Sequence, residues 1–259
     1  MRQSGGPFGV SDLILQTEGL TKEFRGFTAV RRVDLRIRRG TIHALIGPNG
    51  AGKTTVFNLL TKFLQPTEGR ITFKGEDVTR VKPADIARRG MVRSFQISAV
   101  FPHLSVRDNV RVALQRKLGN SFHFWRSETV LHRLNARAEE LVRWVGLENF
   151  LHLPAGELAY GRKRALEIAT TLALEPEMLL LDEPMAGLGT EDIGRIAALV
   201  KRVAADRTVL MVEHNLSVVA DLSDTITVLA RGEILAEGVY AEVAKHPAVI
   251  DAYVGTGHA

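Results

Sequence analysis

Eight consecutive residues have the types and order needed to hold phosphate groups. They are Gly47, Pro48, Asn49, Gly50, Ala51, Gly52, Lys53 and Thr54. The order matches glycine, four residues, then Gly-Lys-Ser/Thr, in which the glycines let backbone N–H groups face phosphate oxygens at the start of a helix. In such a loop Lys53 reaches the β and γ phosphates and the Thr54 hydroxyl holds Mg²⁺. We predict that this loop, with the adjacent Thr55, binds ATP and Mg²⁺.

Two acids follow a short apolar run later in the chain. Met178 to Leu181 is followed directly by Asp182 and Glu183, and ligands bind at the carboxyl ends of parallel strands. Taken alone, this pattern is as often a strand followed by a solvated turn. Together with the phosphate loop, it predicts that Asp182 steadies Mg²⁺ through water and that Glu183 orients or deprotonates the attacking water.

Two further polar residues follow apolar runs in the same way. His214, preceded by Glu213, comes after Val209 to Val212, and Gln96 comes after Met91 to Phe95. Each is an ordinary surface residue when considered by itself. In the presence of the phosphate loop, we interpret His214 as a γ-phosphate contact and Gln96 as a second functional residue.

Three cations occupy the first turn of another predicted helix. The segment Leu158-Ala159-Tyr160-Gly161-Arg162-Lys163-Arg164 leads into apolar positions with helical spacing. Cations near a helix N-terminus oppose the helix dipole. The segment therefore predicts a nearby anion, and the alternative is three solvated side chains.

Composition excludes several classes of protein. The 259 residues are 45% hydrophobic and 24% charged, which is ordinary for a globular protein, and they include no cysteine, so disulfides and thiolate chemistry are excluded. The net charge of +5 is modest, and its basic residues form only short groups. The sequence offers no apolar run of the ~20 residues that a membrane span requires, so any membrane role is expected to come through a partner.

The order of apolar runs predicts an α/β fold with a mainly parallel sheet. We expect a flexible leader over residues 1–11, a nucleotide-binding core over 12–96 and 176–259, and a helical subdomain over 97–175. The predicted strands are Leu13–Glu18, Ala29–Ile37, Thr41–Ile46, Arg70–Phe73, Gly90–Phe95, Met178–Leu181, Thr208–Val212 and Thr225–Leu229. The predicted helices are Thr54–Phe63, Asn109–Leu118, Ser127–Leu147, Asp192–Ala205 and Leu216–Leu222. The first two strands have one polar side, which is typical of an outlying antiparallel sheet.

Together these motifs resemble the ATP-binding cassette family. The resemblance identifies a Walker A loop (47–54), a Q-loop glutamine (Gln96), a signature (158–162), a Walker B strand (179–182) and a switch histidine (His214). It implies a RecA-like phosphate-loop core with an antiparallel β subdomain and a helical subdomain. It also implies head-to-tail dimers in which the partner's Leu158, Ala159, Tyr160, Gly161 and Arg162 complete each ATP site. Thr54 and Gln96 would hold Mg²⁺, with Asp182 behind them.

Within that family, the chain is most similar to the cassettes of bacterial branched-chain amino acid importers. Three stretches carry this similarity: Arg93–Gln96 with Phe101 and 104–106, Leu158–Gly161 leading to 166–169, and the ending Pro247–Gly255. Two departures stand out. Arg162 replaces the usual glutamine of the signature, where Ala159 also lacks the usual serine hydroxyl, and Gly189 stands where the D-loop usually has Asp or Asn.

Adenine recognition is assigned to Phe24 by the same resemblance, with Phe27 as its competitor and a core position as the alternative. Stacking on an aromatic ring tolerates any base.

The resemblance implies that Lys53 and His214 stabilise γ-phosphate charge while Glu183 acts on the water, with Lys53, Glu183 and His214 as the catalytic residues. Implied partners are a second cassette, identical or different, integral permease subunits and, indirectly, an extracytoplasmic solute-binding protein. The chain would then sit on the cytoplasmic face of the bacterial inner membrane. The rival hypothesis is a soluble cassette protein acting on nucleic acid or ribosomes; we expect no nucleic acid partner, because neither a second cassette nor a long coiled-coil insertion is present.

Overall fold

The computed structural model describes residues 12–94, 100–116 and 128–254. The predicted leader and Gln96 therefore lie outside the described residues. The described chain contains two sheets, one antiparallel and one mainly parallel, together with helices that cover them. This architecture confirms the predicted fold class.

The antiparallel sheet is built around the long first strand. The strand β1 (Leu13–Phe24) pairs with β2 (Phe27–Val33), β3 (Arg36–Arg38) and β5 (Glu68–Phe73), and β5 pairs with β6 (Glu76–Asp77). The prediction of one strand over Ala29–Ile37 was wrong, because the backbone breaks between β2 and β3. The buried hydroxyl of Thr17 fills the break, donating to Val33 O (2.8 Å) and accepting from Leu35 N (2.8 Å).

The second sheet forms the centre of the molecule. Its order is β11-β10-β4-β9-β8-β7, parallel from β10 to β7, with β11 added antiparallel at one edge. The strands are β4 (Ile42–Ile46), β7 (Met91–Arg93), β8 (Met178–Asp182), β9 (Thr208–Val212), β10 (Thr225–Ala230) and β11 (Glu233–Gly238). Every residue of β4, β8 and β9 is buried, as expected for a parallel sheet covered on both faces.

Alternate residues of these strands face two separate cores. Leu179 and Leu181 of β8 belong to a core shared with the helices, whereas Met178 and Leu180 belong to a core shared with the antiparallel sheet. This alternation follows from the two-residue period of a strand. The central strands are therefore clamped between two packed layers, which fixes the positions of their ends.

Nine helices lie within the described residues. They are α1 (Lys53–Leu60), α2 (Pro83–Arg88), α3 (Val106–Gln115), α4 (Glu128–Trp144), α5 (Tyr160–Leu172), α6 (Thr190–Val203), α7 (Leu216–Leu222), α8 (Tyr240–Val243) and α9 (Pro247–Val254). Helix α3 starts three residues earlier than predicted because Ser105 Oγ accepts from Asp108 N (3.0 Å) and caps it. Helix α1 ends at Leu60, before the predicted Phe63, and the backbone turns left-handed at Lys62.

Helices α3 to α5 occupy the region where the sequence predicts a helical subdomain, and α3 packs on both α4 and α5. The exact subdomain boundaries at 97 and 175 remain a prediction. In the three described ranges, we find no helix with the length and apolar character needed to cross a membrane.

Candidate active site

Four neighbouring parallel strands end at the same edge of the central sheet. The strand β4 leads into Gly47, β8 ends at Asp182 and continues to Glu183, β9 leads into Glu213 and His214, and β7 leads to Ser94. Because these strands are adjacent and parallel, their carboxyl ends lie together. The fold therefore brings the phosphate loop, the two acids and the histidine to one edge.

The phosphate loop is wedged between two other pieces of backbone. A Cβ at Gly47 (φ +149°) would lie 2.0 Å from Leu229 O of β10, and a Cβ at Gly52 (φ +103°) would lie 2.6 Å from Ala29 O of β2. Neither contact is compatible with a side chain. The glycines are thus required by close packing and by backbone conformation.

Lys53 is buried and curls back over the loop. Its Nζ donates to Gly47 O (2.7 Å) and to Pro48 O (2.9 Å). Burial lowers the pKa of Lys53, whereas the nearby carboxylates of Glu183 and Asp182 raise it. Lys53 and both acids therefore share one electrostatic environment, as the sequence predicts. The two carbonyl contacts hold the ammonium where phosphate oxygens could replace them.

Asp182 is buried at the end of β8 and is held from one side. Its Oδ2 pairs with Arg93 Nη2, and Arg93 Nη1 donates to Asn58 Oδ1 (2.6 Å). The other oxygen, Oδ1, is buried and has no hydrogen-bond partner within the described part of the chain. A buried carboxylate oxygen without a donor fits the water shell of Mg²⁺. Thr54 is exposed at the start of α1 and keeps its hydroxyl available.

Glu183 and His214 form a direct pair. His214 Nε2 lies 2.8 Å from Glu183 Oε1, and both side chains are partly exposed. Glu183 has φ +47°, which is rare for a residue other than glycine, and its N–H donates to Val212 O (2.9 Å). Strained backbone of this kind is concentrated at functional sites. The pair can orient a water and accept its proton.

Glu213, which the sequence left without a role of its own, fixes the loops behind this pair. It is buried; its Oε1 accepts from Met185 N (2.8 Å) and its Oε2 accepts from His214 N (3.0 Å). It therefore ties the loop after β8 to the loop after β9. Asn58, which accepts from Arg93, likewise received no role from the sequence. Neither Glu213 nor Asn58 belongs to a local motif that would have pointed to it.

The signature segment makes its described contacts away from the phosphate loop. Tyr160 begins α5 and is half exposed, with its ring against Gly187, where an added Cβ would be 3.4 Å away. A Cβ at Gly161 would lie within 2.6 Å of the Asp192 carboxylate. Arg162 stacks over the Phe150 ring at 4.3 Å. Leu158 is buried, and Ala159 precedes the helix.

The three cations of this segment do not share one environment. Arg164 is buried and pairs with Glu167 (2.7 Å), so the predicted anion is, for this residue, a carboxylate of the same helix. Arg162 and Lys163 are partly buried. The alternative of three solvated side chains was wrong for Arg164, because the helix core covers it.

The candidate adenine contacts lie on one hairpin. Phe24 ends β1 and Phe27 begins β2, the two face each other across the turn, and their exposed fractions are 41% and 67%. Lys22 Nζ lies 5.1 Å from the centre of the Phe24 ring. The same strand β2 contacts the phosphate loop at Ala29, so the hairpin projects from beside the loop.

Tyr253 touches the phosphate loop, whereas the D-loop position Gly189 lies in open space. The Gly47 N–H donates to the Tyr253 hydroxyl, which lowers the pKa of that phenol, while burial raises it more strongly. Gly189 has an extended backbone (φ −71°), and among the described residues no atom comes within 4 Å of an added Cβ. The D-loop departure is therefore not imposed by backbone conformation or packing.

A phosphate loop, a buried aspartate and a Glu–His pair on one edge of a parallel sheet define a phosphate-loop nucleoside triphosphatase. The model for the ABC transporter family matches residues 30–186. The chain therefore belongs to this family and is an ATP-binding cassette ATPase. This match confirms the resemblance seen in the sequence. A second model, for the branched-chain amino acid ATP-binding cassette transporter, matches residues 233–259.

Known relatives match along nearly their full length. The chain is 40% identical over 249 residues to the high-affinity branched-chain amino acid transport ATP-binding protein BraF of Pseudomonas aeruginosa, covering 93% of this chain and 98% of that protein. It is 39% identical over 254 residues to LivG of Salmonella typhimurium, a protein of the same description, covering 95% and 99%. Among solved structures, the ADP conformation of the cassette MJ1267 superimposes with a TM-score of 0.83 at 30% identity, covering 94% and 99%.

Proposed function

We propose that this chain is the ATP-hydrolysing subunit of an importer of branched-chain amino acids. The observation that carries the catalytic part is the Glu183–His214 pair (2.8 Å), placed beside the buried Lys53 at the carboxyl edge of the sheet. The substrate class is supported by the names of the relatives and by the family match over 233–259.

Hydrolysis needs an oriented water and stabilised phosphate charge. Glu183 Oε1 accepts the proton of a water whose oxygen attacks the γ phosphorus, and the bond to the bridging oxygen breaks as ADP leaves with its electron pair. His214 holds the Glu183 carboxylate and faces the γ phosphate, while Lys53 exchanges its carbonyl contacts for phosphate oxygens. Mg²⁺, when bound, would neutralise phosphate charge; Thr54 and Gln96 would hold it, and Asp182 Oδ1 would accept from its waters. Phe24 would stack on adenine.

We further propose that the working unit is a head-to-tail pair of cassettes. The signature of this chain contacts its own Phe150, Asp192 and Gly187, and leaves Tyr160 half exposed. Residues 158–162 are thus available to complete the ATP site of a second cassette, of the same or another kind. Arg162, which stacks on Phe150, would have to leave that ring to reach a phosphate.

The permease subunits would dock on an apolar cavity beside β7. This cavity of about 400 Å³ lies between α2, α3, α5 and the end of α1. Its lining includes Phe63, which is 56% exposed, Ile86, Met91 and Val112. An amphipathic helix from the cytoplasmic side of a permease fits such a groove. The cassette would then lie on the cytoplasmic face of the membrane, and a solute-binding protein would act on it only through the permease.

The catalytic assignment is tested with Glu183→Gln in the purified transporter complex. We expect ATP hydrolysis to fall by about 10²-fold or more, the range for losing a general base, while ATP binding is retained. Glu148→Gln, in the short turn that follows helix α4, serves as the matched control. An undiminished rate in Glu183→Gln would refute the assignment.

The substrate and partner assignments need a separate experiment. Co-purification with integral membrane subunits, followed by ATP-dependent uptake of leucine into proteoliposomes, is the expected result. Retention on nucleic acid instead would favour the soluble cassette hypothesis.

A further inference from the structure

Arg164 joins the signature helix to the backbone of the catalytic glutamate. It lies one turn into α5, is 5% exposed, and donates hydrogen bonds from all three guanidinium nitrogens. Its Nη2 donates to Glu183 O (2.8 Å), its Nε donates to Pro184 O (3.1 Å) and its Nη1 donates to Glu167 Oε2 (2.7 Å). Two consecutive carbonyls after β8 are therefore held by one planar side chain.

The backbone that Arg164 holds is the strained one. Glu183 is left-handed at φ +47°, and a residue with a Cβ keeps that conformation only when its surroundings impose it. Its N–H donates to Val212 O of β9, and its carbonyl accepts from Ala186 N (3.1 Å) and from Arg164 Nη2 of α5, the only one of these anchors that comes from the signature helix. The direction of the Glu183 side chain, and hence its 2.8 Å contact with His214, depends on these three anchors.

The position of Arg164 is set in turn by Glu167. This carboxylate is also buried, lies one turn further along α5, and neutralises the guanidinium. Glu167 additionally lines the apolar cavity beside β7. Arg164 and Glu167 therefore form a continuous polar connection from that cavity, through the signature helix, to the carbonyl of Glu183.

We infer that Arg164 is a positioning residue that makes the orientation of Glu183 depend on the position of the signature helix. The start of α5 would face the partner's nucleotide, whereas Glu183 faces this chain's own nucleotide. A displacement of α5 would shift the Glu183 carbonyl. The state of one ATP site would then affect hydrolysis at the other site through Arg164. The inference rests on the proposed role of Glu183 as the general base.

The test uses Arg164→Lys in the purified transporter complex. Lysine keeps the positive charge but cannot bind two carbonyls and a carboxylate with a planar fork. We expect ATP turnover to fall by about 10-fold or more, since small displacements of a catalytic group are costly, with the KM for ATP changed less than twofold. Arg137→Lys, at a partly exposed arginine of α4 that pairs with Glu140 at the same three-residue spacing (2.7 Å), should leave turnover and KM unchanged.

A double variant separates positioning from general destabilisation. If Arg164 acts through Glu183, then Arg164→Lys should cause no further loss in the Glu183→Gln background. An equal fractional loss in both backgrounds, an effect on KM alone, or wild-type turnover in Arg164→Lys would each overturn the inference. A fully active Glu183→Gln would instead overturn the proposed catalytic role.

Glu167→Gln covers the case in which Arg164→Lys does not fold. It keeps an acceptor for Arg164 and removes only the charge, and we expect a smaller fall in turnover that again disappears in the Glu183→Gln background. Persistence of that fall in the Glu183→Gln background would contradict the inference.

Discussion

The buried His43 predicts a specific loss of stability in mild acid. His43 lies in β4, four residues before the phosphate loop, and is 1% exposed. Its Nε2 lies 2.7 Å from Thr227 Oγ1, which donates to Glu237 Oε2 at 2.6 Å, so His43 is the donor to Thr227. Burial lowers the pKa of His43 to about 4 from its ordinary 6.5. The folded protein therefore keeps this imidazole neutral.

The sign and size of the effect follow from this difference. Below the ordinary value of 6.5 the unfolded chain takes up a proton that the folded protein rejects until about pH 4, so stability is lost as the pH falls between these values. Each pH unit in this window changes the free energy of unfolding by about 1.4 kcal/mol. The protein should therefore lose about 2 kcal/mol of stability by pH 5 and about 3 kcal/mol over the whole window. Above 6.5 His43 contributes no pH dependence.

The assay is urea unfolding followed by tryptophan fluorescence between pH 7.5 and 5. His43→Gln keeps an N–H donor for Thr227 but cannot titrate, so its stability should fall by about 2 kcal/mol less than that of the wild type over this range. His152→Gln, at an exposed position, should follow the wild type. Equal losses in the wild type and His43→Gln, within about 0.5 kcal/mol, would refute the reasoning, because all other groups titrate in both proteins.

Two predictions concern backbone conformation. Gly47→Ala should abolish ATP binding in equilibrium dialysis, because its Cβ would lie 2.0 Å from Leu229 O and must displace the loop; retained affinity would show that the loop can shift freely. Lys62 is left-handed (φ +68°), its buried Nζ has no hydrogen-bond partner among the described residues, and burial lowers its pKa to about 8 despite the opposing charge of Asp77. Lys62→Gly should therefore raise the free energy of unfolding by about 1 to 2 kcal/mol. Lys74→Gly, at a residue of similar φ that pairs with Glu177, should not.

Much of this fold and of its candidate site can be predicted from local sequence patterns. The spacing of Gly47, Lys53 and Thr54 identifies the phosphate loop, and an acid or a histidine after a short apolar run identifies Asp182 and His214. These motifs can be recognised in the sequence because each functional side chain directly follows the strand that positions it. The parallel sheet then brings them together without any further information.

The parts that sequence reasoning missed are contacts between distant segments. Arg164 binds carbonyls about 20 residues away, and Arg93 pairs with Asp182, 89 residues away. The break after β2 depends on Thr17, 16 residues earlier. No local periodicity encodes such pairs, so the cationic helix start predicts an anion without identifying it, and for Arg164 that anion is the carboxylate of Glu167.

The order of strands in the central sheet also has a consequence for synthesis on the ribosome. The strand β4, which leads into the phosphate loop, is paired on both sides by strands made much later, β9 and β10. About 160 residues separate β4 from β9, which at about 5 to 20 residues per second means roughly 8 to 30 s of translation. During this interval the nascent loop lacks both neighbours, and Gly47 also lacks its contact with Leu229. We therefore expect the phosphate loop to reach its nucleotide-binding conformation only after the carboxyl-terminal half of the sheet has emerged.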